Sequence, residues 1–509
     1  MRSTSAIWYI KLPMNNFWAT LALYLAASLL VSVAWAFQLP FEWGSDFGAY
    51  YSGAMYLDAD YRLYADFFDH KGPMYYAFLK VIGLIIGFGA PQAVFSLALT
   101  AFIFFCSLIA LVSRKPKALA VTVLVIAALA LAHQPTNASI ALFLASQLLL
   151  GYYFSRKYLA AGRLVDAILA GVFFTSAALT RVDAVAYLPW LLAIFLINKY
   201  SSVGGGGSVY AVLRAGVVST FFGGILLAVV VSTMHLTPNE IFVSNVSFNT
   251  YYRGVIGGCY YCRDNHFEIL VRSGALFAVF YIFIDALKPF PSMVCFKGVY
   301  PKFCAGSFTR HTDSIASWAF ALIGVVVWVY SGSDKDYHVY LVLLPILVLV
   351  IEHGAGSING RFVLAVCALF LPFSLDFLRA GKRMVLNPEC LVTPLCQMSP
   401  AASYRDAINV IIDRNIQIIV GGRGWPYVFA QQSPTISVND WWLYSNNAPF
   451  VTPHLQAQFE HILAMGKGSE ILIDSSLYYS DTGSPYLDDI RANFEVTSDL
   501  DYYLLLSKR

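Results

Sequence analysis

Charge is what this chain has least of. Only 12% of its 509 residues are Asp, Glu, Lys or Arg, against about 25% in soluble proteins, while 58% are hydrophobic and the mean hydropathy is +0.63. That balance excludes an ordinary soluble globule and predicts a polytopic α-helical membrane protein. A large charge of one sign is also missing. The net value of +3 leaves no electrostatic footprint for nucleic acid, so membrane lipids and not nucleic acid are the expected surroundings. No small-residue cleavage pattern follows the first apolar run, Asn16 to Phe37. Its exit, Phe37-Gln38-Leu39-Pro40-Phe41-Glu42-Trp43, is aromatic, which predicts an uncleaved anchor with a cytoplasmic N-terminus.

The few basic residues orient the remaining spans. Arg114, Lys115 and Lys117, then Arg156, Lys157 and Arg163, then Lys199, then Lys288, Lys297, Lys302 and Arg310 all fall on the cytoplasmic side if Gly72 to Ala90 lies in the interface and does not cross. Gln92 to Val112, Ala118 to Ala132, Ser139 to Phe154, Val165 to Leu179, Ala184 to Ile197 and Tyr210 to Thr233 then alternate inward and outward. They are followed by Phe267 to Leu287, Ser314 to Tyr330, Tyr340 to Ile351 and Phe362 to Leu378. The total is about eleven spans, with everything beyond Arg379 external. This divides the chain into a membrane part, 1–380, whose first external loop is 38–91, a connecting segment 381–398, and a terminal part 399–509.

The terminal part changes character. Ala402 to Arg414 has helical periodicity, and Ile416 to Val420 reads as a buried strand. Thr435 to Val438 and Glu470 to Ile473 read as further strands, alternating with helices at Leu455 to Met465 and Leu487 to Asn493. Strands at Phe494 to Val496 and Tyr502 to Leu506 close the pattern. Such alternation predicts a small extracytoplasmic α/β domain of about a hundred residues. Gly421-Gly422-Arg423-Gly424-Trp425-Pro426 lacks both the dinucleotide fingerprint and a following Lys-Ser/Thr, and is read as a tight turn.

Cysteine is scarce as well, with 8 in the chain. Cys106 and Cys367 fall in spans as small buried hydrophobes. Cys295 and Cys304 fall inside, where thiols stay reduced. Cys259, Cys262, Cys390 and Cys396 fall in external segments, where disulfides persist. Four cysteines allow three pairings, which sequence does not rank. No strand-helix context surrounds Cys259-Tyr-Tyr-Cys262 to make it a redox motif.

The rare acids are concentrated in the first external loop. Ser45-Asp46-Phe47-Gly48-Ala49-Tyr50-Tyr51 is followed by Tyr64-Ala65-Asp66-Phe67-Phe68-Asp69-His70-Lys71-Gly72-Pro73. With Lys335-Asp336-Tyr337-His338-Val339-Tyr340 and the terminal Gly-x-Gly-Trp-Pro-Tyr, these segments resemble GT-C glycosyltransferases. The resemblance points to bacterial relatives of protein O-mannosyltransferases and of lipid A aminoarabinose transferases. It implies a polytopic fold with an external α/β domain, a polyprenyl-phosphate sugar donor, and inversion at the anomeric carbon.

The residue types suit that chemistry. A base must take the acceptor hydroxyl proton while cations stabilise the departing phosphate. Asp46 is the candidate base, and Ser-Asp before an aromatic run is equally a helix N-cap. Lys71 and His70 are candidates for the phosphate, with a snorkelling interfacial Lys the plain alternative. Arg181, beside Asp183 at the external end of a span, is a further candidate or a partner for that acid. Lys335 and His338 are comparable. Several relatives carry a second acid at the external end of the third span; here that place reads His133-Gln134-Pro135-Thr136-Asn137. His133 or Asn137 fills that role, or Asp66 or Asp69 does. Asp58-Ala59-Asp60 reads as two exposed loop acids, so no obligatory metal or other cofactor is expected.

The sequence is therefore read as a membrane glycosyltransferase, expected in a bacterial inner membrane with a periplasmic terminal domain. The acceptor is an O-antigen, glycolipid or other envelope glycan, with protein the alternative. A lipid-linked sugar flippase is the reading from a different class. No inverted repeat and few ionisable residues near span centres argue against it.

Overall fold

The computed structural model describes residues 46–64, 66–67, 69, 71–89, 93–101, 135–187, 209–247, 404–421, 425–430, 432–438, 452–480 and 484–509, with the isolated positions 25, 29, 32, 382, 385 and 386. All four expected spans beyond residue 247, the one at 118–132, nearly all of the first at 16–37, and the greater parts of those at 92–112 and 184–197 lie outside the described residues.

The first external loop begins with helix α1, Asp46–Asp58. Aromatic residues fill its surroundings: Phe47, Tyr50, Tyr51 and Tyr56 are all buried. Helix α2, Pro73–Ile86, follows a Gly-Pro start, where proline's fixed φ suits the first helical turn. Its 14 residues extend about 21 Å at 1.5 Å per residue, short of a hydrocarbon core of roughly 30 Å. It is tied to α1 along its length. Tyr50 packs edge-on against Tyr75 and Tyr76, with centroids 5.3 and 5.8 Å apart. Lys80 Nζ donates to Leu57 O at 2.6 Å, and the Tyr51 hydroxyl donates to Phe88 O at 2.7 Å just after the helix ends. Gly87, at φ 96°, turns the chain there, and Phe95 in the next helical run reaches Phe47, centroids 4.8 Å apart. Both ends of α2 thus stay beside α1. The Lys80 cap satisfies a carbonyl in the last turn of α1, a charge-assisted bond worth about 1.5–3 kcal/mol. Lys80→Met is expected to lower the apparent melting temperature in detergent while leaving any substrate KM unchanged.

Three longer helices form a packed set. Helix α3, Pro135–Ala161, and α4, Leu164–Thr180, are joined through Gly162, at φ 65°. Helix α5, Val209–Thr233, packs on α4. The α4–α5 contact is made by small residues: a Cβ on Gly171 would strike the Ser219 backbone, and one on Gly223 would strike Thr175 Oγ1. The Ser219 hydroxyl crosses to donate to Ala167 O at 2.7 Å. Close approach through small residues is the usual means of joining helices in lipid, where apolar burial between them gives little drive. Along α5, Leu213, Val217, Phe221, Ile225 and Val229 recur every fourth residue and are all exposed. The stretch Leu213–Thr233 is the one helix among the described residues long and apolar enough to cross a membrane, and no described residue covers its apolar stripe.

At the α3–α4 turn, buried Asp166 accepts from Arg163 Nε at 2.9 Å, with Lys157 Nζ at 3.9 Å. At the opposite end of α4, the Thr180 carbonyl accepts from the Gly72 N–H at 3.0 Å, just before α2.

The terminal part contains a five-stranded sheet: β1 (Ile418–Val420), β2 (Ile436–Val438), β3 (Glu470–Asp474), β4 (Phe494–Leu500) and β5 (Tyr503–Lys508), in the order β2-β1-β3-β5-β4. The first three strands are parallel, and β5 runs antiparallel to both β3 and β4. Helices Arg405–Arg414, Trp425–Ala430, Thr452–Leu463, Ser475–Tyr479 and Pro485–Asn493 accompany it. Leu455, Phe459, Ile471, Ile473, Ile490 and Leu504 fill one face, and Ile411, Ile419, Tyr427, Leu472 and Leu505 the other. The alternating pattern of the sequence appears here with boundaries shifted by up to four residues, the largest at the end of β4. It did not foresee the short helices Trp425–Ala430 and Ser475–Tyr479.

Candidate active site

The loop between α1 and α2 is held in an irregular shape by its own polar groups. Tyr64 sits at φ 72°, a left-handed conformation unusual for a bulky residue. Its N–H donates to Phe67 O at 2.7 Å. Asp66 accepts from the Arg62 N–H at 2.7 Å, and the Arg62 guanidinium reaches Glu240 at 2.8 Å. Asp69 engages both carboxylate oxygens: the Tyr76 hydroxyl donates to Oδ2 and the Lys71 N–H to Oδ1, the latter at 2.9 Å. Asp66 and Asp69 therefore shape the backbone around them, which is what this geometry says of the two acids proposed above as replacements for a second carboxylate.

Lys71 is fixed from every side of its backbone. Its N–H is held by Asp69, and its carbonyl accepts from the Tyr64 hydroxyl at 2.6 Å. The next N–H, of Gly72, donates to Thr180 O at 3.0 Å. Only glycine permits that last contact, because a Cβ at Gly72 would collide with the Leu179 carbonyl. Lys71-Gly72 thereby lies against Thr180-Arg181. Arg181 caps α4 in an extended conformation, its N–H on Ala177 O at 3.0 Å. Two cationic residues, 110 positions apart by their numbers (181 − 71), flank a single backbone hydrogen bond.

Asp46 is the first residue of α1, one turn before Tyr50, whose ring packs on Tyr75 and Tyr76 directly after Pro73. This ties the start of α1 to the start of α2, which begins two residues after Lys71. Asn137 is in the first turn of α3 and Asp183 in the 3-10 turn Val182–Tyr187. His70, His133, Lys335, His338, Cys259, Cys262, Cys390 and Cys396 lie outside the described residues. Among the described residues no group of three or more His, Cys, Asp or Glu is arranged to hold a metal ion.

Sequence reasoning missed the segment after α5. Thr237 and Glu240 form a capping box: Thr237 Oγ1 accepts from Glu240 N–H at 3.1 Å, and Glu240 Oε2 accepts from Thr237 N–H at 2.7 Å. Helix α6, Pro238–Phe242, follows, and a π-helical turn, Val243–Ser247, continues it. Asn245 in that turn donates to the Tyr64 hydroxyl at 2.9 Å. The Thr-x-x-Glu spacing was readable as a helix start; the pairing with Tyr64 was not. Burial holds the Tyr64 phenol far above its usual pKa; the Asn245 hydrogen bond opposes this and the Asp69 charge adds to it. The hydroxyl is a neutral donor throughout the physiological range.

The sheet domain rests on this loop. Helix Trp425–Ala430 packs on α1, and Gln458 Nε2 approaches Asp66 O at 3.4 Å. Tyr427 is buried, which pushes its phenol far above the usual range, and neighbouring Tyr56 of α1 adds to the shift.

No family model matches the chain, and no curated protein matches its sequence. Solved structures resemble it loosely. The archaeal oligosaccharyltransferase AglB from Archaeoglobus fulgidus, in complex with an inhibitory peptide and a dolichol-phosphate, aligns at a TM-score of 0.43 and 13% identity, over 93% of this chain and 72% of that one. ArnT from Cupriavidus metallidurans in the apo state aligns at 0.42 and 11% identity, over 97% and 98%. At these scores the likeness carries no argument about the reaction, which rests on the chain's own residues.

Proposed function

We propose that this protein is a membrane glycosyltransferase of GT-C type that moves a sugar from a polyprenyl-phosphate donor to an acceptor on the external face, an O-antigen or other envelope glycan. The observation that carries the reading is the Gly72–Thr180 hydrogen bond, which brings Lys71 and Arg181 together at the polar end of an apolar helix set. A lipid phosphate is an anion that resides at a membrane edge, and Lys and Arg are the residue types that hold phosphate. In the proposed reaction Asp46 takes the acceptor hydroxyl proton. The acceptor oxygen bonds to the anomeric carbon as its bond to the phosphate oxygen breaks, and polyprenyl phosphate leaves with the negative charge. Lys71 and Arg181 stabilise that charge, Lys71 as a compact ammonium and Arg181 as a planar fork. Attack opposite the leaving phosphate inverts the anomeric carbon. The isoprenoid tail lies among the helices, and the sheet domain, resting on the α1–α2 loop, covers the acceptor side. The reading includes a bacterial inner membrane, a cytoplasmic N-terminus and a periplasmic sheet domain, and assigns the chemistry to side chains without a metal.

The test is transfer itself. Purified protein is incubated with a radiolabelled panel of polyprenyl-phosphate sugars and with envelope glycan or peptide acceptors. Sugar transfer to glycan is expected, with the donor KM raised at least about tenfold in Lys71→Met and in Arg181→Met, as the loss of one charge-assisted contact implies. Binding without transfer to any acceptor, or movement of the intact donor across vesicle membranes, defeats the reading. Transfer only to peptide would move the acceptor to protein.

A further inference from the structure

Asn245 and Tyr64 are separated by 181 positions and lie in segments that the transfer chemistry does not itself require. Their hydrogen bonds have a fixed direction. Asn245 Nδ2 faces Ile241 O at 3.0 Å, and a carbonyl only accepts, so the amide nitrogen is unambiguously on that side. Its second hydrogen goes to the Tyr64 oxygen at 2.9 Å. The single Tyr64 hydrogen goes to Lys71 O at 2.6 Å, again a group that only accepts. Donation therefore runs one way, from the turn after α5, through the phenol, to the backbone of Lys71. Tyr64 is 2% exposed and Asn245 5%, so a bond lost between them is poorly replaced by water. Asn245 sits in a π-helical turn, a rare geometry concentrated at functional sites.

We propose that Asn245 and Tyr64 are positioning residues that set Lys71 for the phosphate of the lipid-linked donor. The relay acts with the Asp69 and Thr180 contacts, so that the Lys71 peptide is held at its N–H, at its carbonyl and at the following N–H. A backbone held this way fixes the point from which the flexible lysine stem reaches the anion, and pre-organisation of this kind appears as donor affinity. The inference rests on the glycosyl-transfer reading for the identity of the anion. A second link between the same segments, the Arg62–Glu240 ion pair, is half-exposed and has no bond to Lys71, so it serves as the internal comparison.

The experiment uses the full chain in detergent, with KM and kcat for the labelled donor and equilibrium binding of undecaprenyl phosphate alone as separate readouts. Tyr64→Phe and Asn245→Ala are each expected to raise the donor KM and the undecaprenyl phosphate Kd about 3- to 10-fold, the size of one buried hydrogen bond, with kcat within about twofold. The double variant is expected to match the singles, since both break one relay. Arg62→Gln is expected to change KM by less than about twofold. Should Tyr64→Phe fail to fold, Asn245→Ala, which leaves the tyrosine ring in its packing, gives the same readout. Wild-type donor KM and Kd in Tyr64→Phe or Asn245→Ala overturn the inference alone, as does a rise in Arg62→Gln equal to theirs. A wild-type chain that neither transfers sugar nor binds undecaprenyl phosphate overturns the transfer reading, and this inference with it.

Discussion

Asp46→Asn is expected to bind the lipid-linked donor as the wild type does and to transfer its sugar at least about 100-fold more slowly, since a positioned general base contributes about 10²–10⁴-fold. The substitution keeps the size of the side chain and the capacity to cap α1, which Asn does as well as Asp. A structural role alone would therefore survive it. What Asn lacks is the ability to accept the acceptor proton. Single-turnover transfer measured beside donor binding separates the two roles: slow transfer with normal binding identifies the base, and equal loss of both identifies a binding defect. If transfer proceeds at the wild-type rate, Asp46 is not the base.

Gly72→Ala is expected to lose both stability and transfer. The added Cβ meets the Leu179 carbonyl, and its neighbours there are backbone atoms that cannot swing away. Relief requires α2 and the end of α4 to separate, at an overpacking cost of about 1–3 kcal/mol. Separation breaks the Gly72–Thr180 bond and draws Lys71 away from Arg181. A shift of about 1 Å in a positioning group costs on the order of 100-fold in rate. The measurements are the apparent melting temperature and kcat/KM for the donor, both expected to fall. Unchanged kcat/KM with a lowered melting temperature would show that the contact serves the fold and not the site.

The terminal domain was legible because each of its elements carries its own signal. Ile418 to Val420 and Ile471 to Ile473 are short apolar runs between polar turns, and Arg405 to Arg414 has buried Ala407, Ile408 and Ile411 at helical spacing. Helix Trp425–Ala430 was not legible, since six residues after a glycine-rich turn are too few to show a period. In the first external loop the cluster of acids, aromatics and Lys71 was visible as a concentration of rare residue types. Its internal assignments were not, because they depend on a left-handed Tyr64 and on partners far along the chain. Asp66 and Asp69 look alike in sequence, yet one holds the Arg62 N–H and the other bridges Tyr76 to Lys71. The interfacial placement of α2 is an expectation from where Arg114, Lys115 and Lys117 would otherwise fall, whereas its tethers to α1 through Tyr75 and Lys80 had no sequence signal. The approach of Gly72 to Thr180 had no sequence signal beyond Gly-Pro, which marks a helix start and nothing more.

The central claim is that Lys71 and Arg181 hold one lipid phosphate. A polyprenyl phosphate carrying a photoactivatable group beside the phosphate, cross-linked to the full chain and mapped by peptide mass spectrometry, tests it most directly. The account predicts adducts in both segments 69–73 and 179–182, competed by excess undecaprenyl phosphate and reduced in Lys71→Met. Adducts confined to one of these segments, or found only elsewhere in the chain, would contradict it.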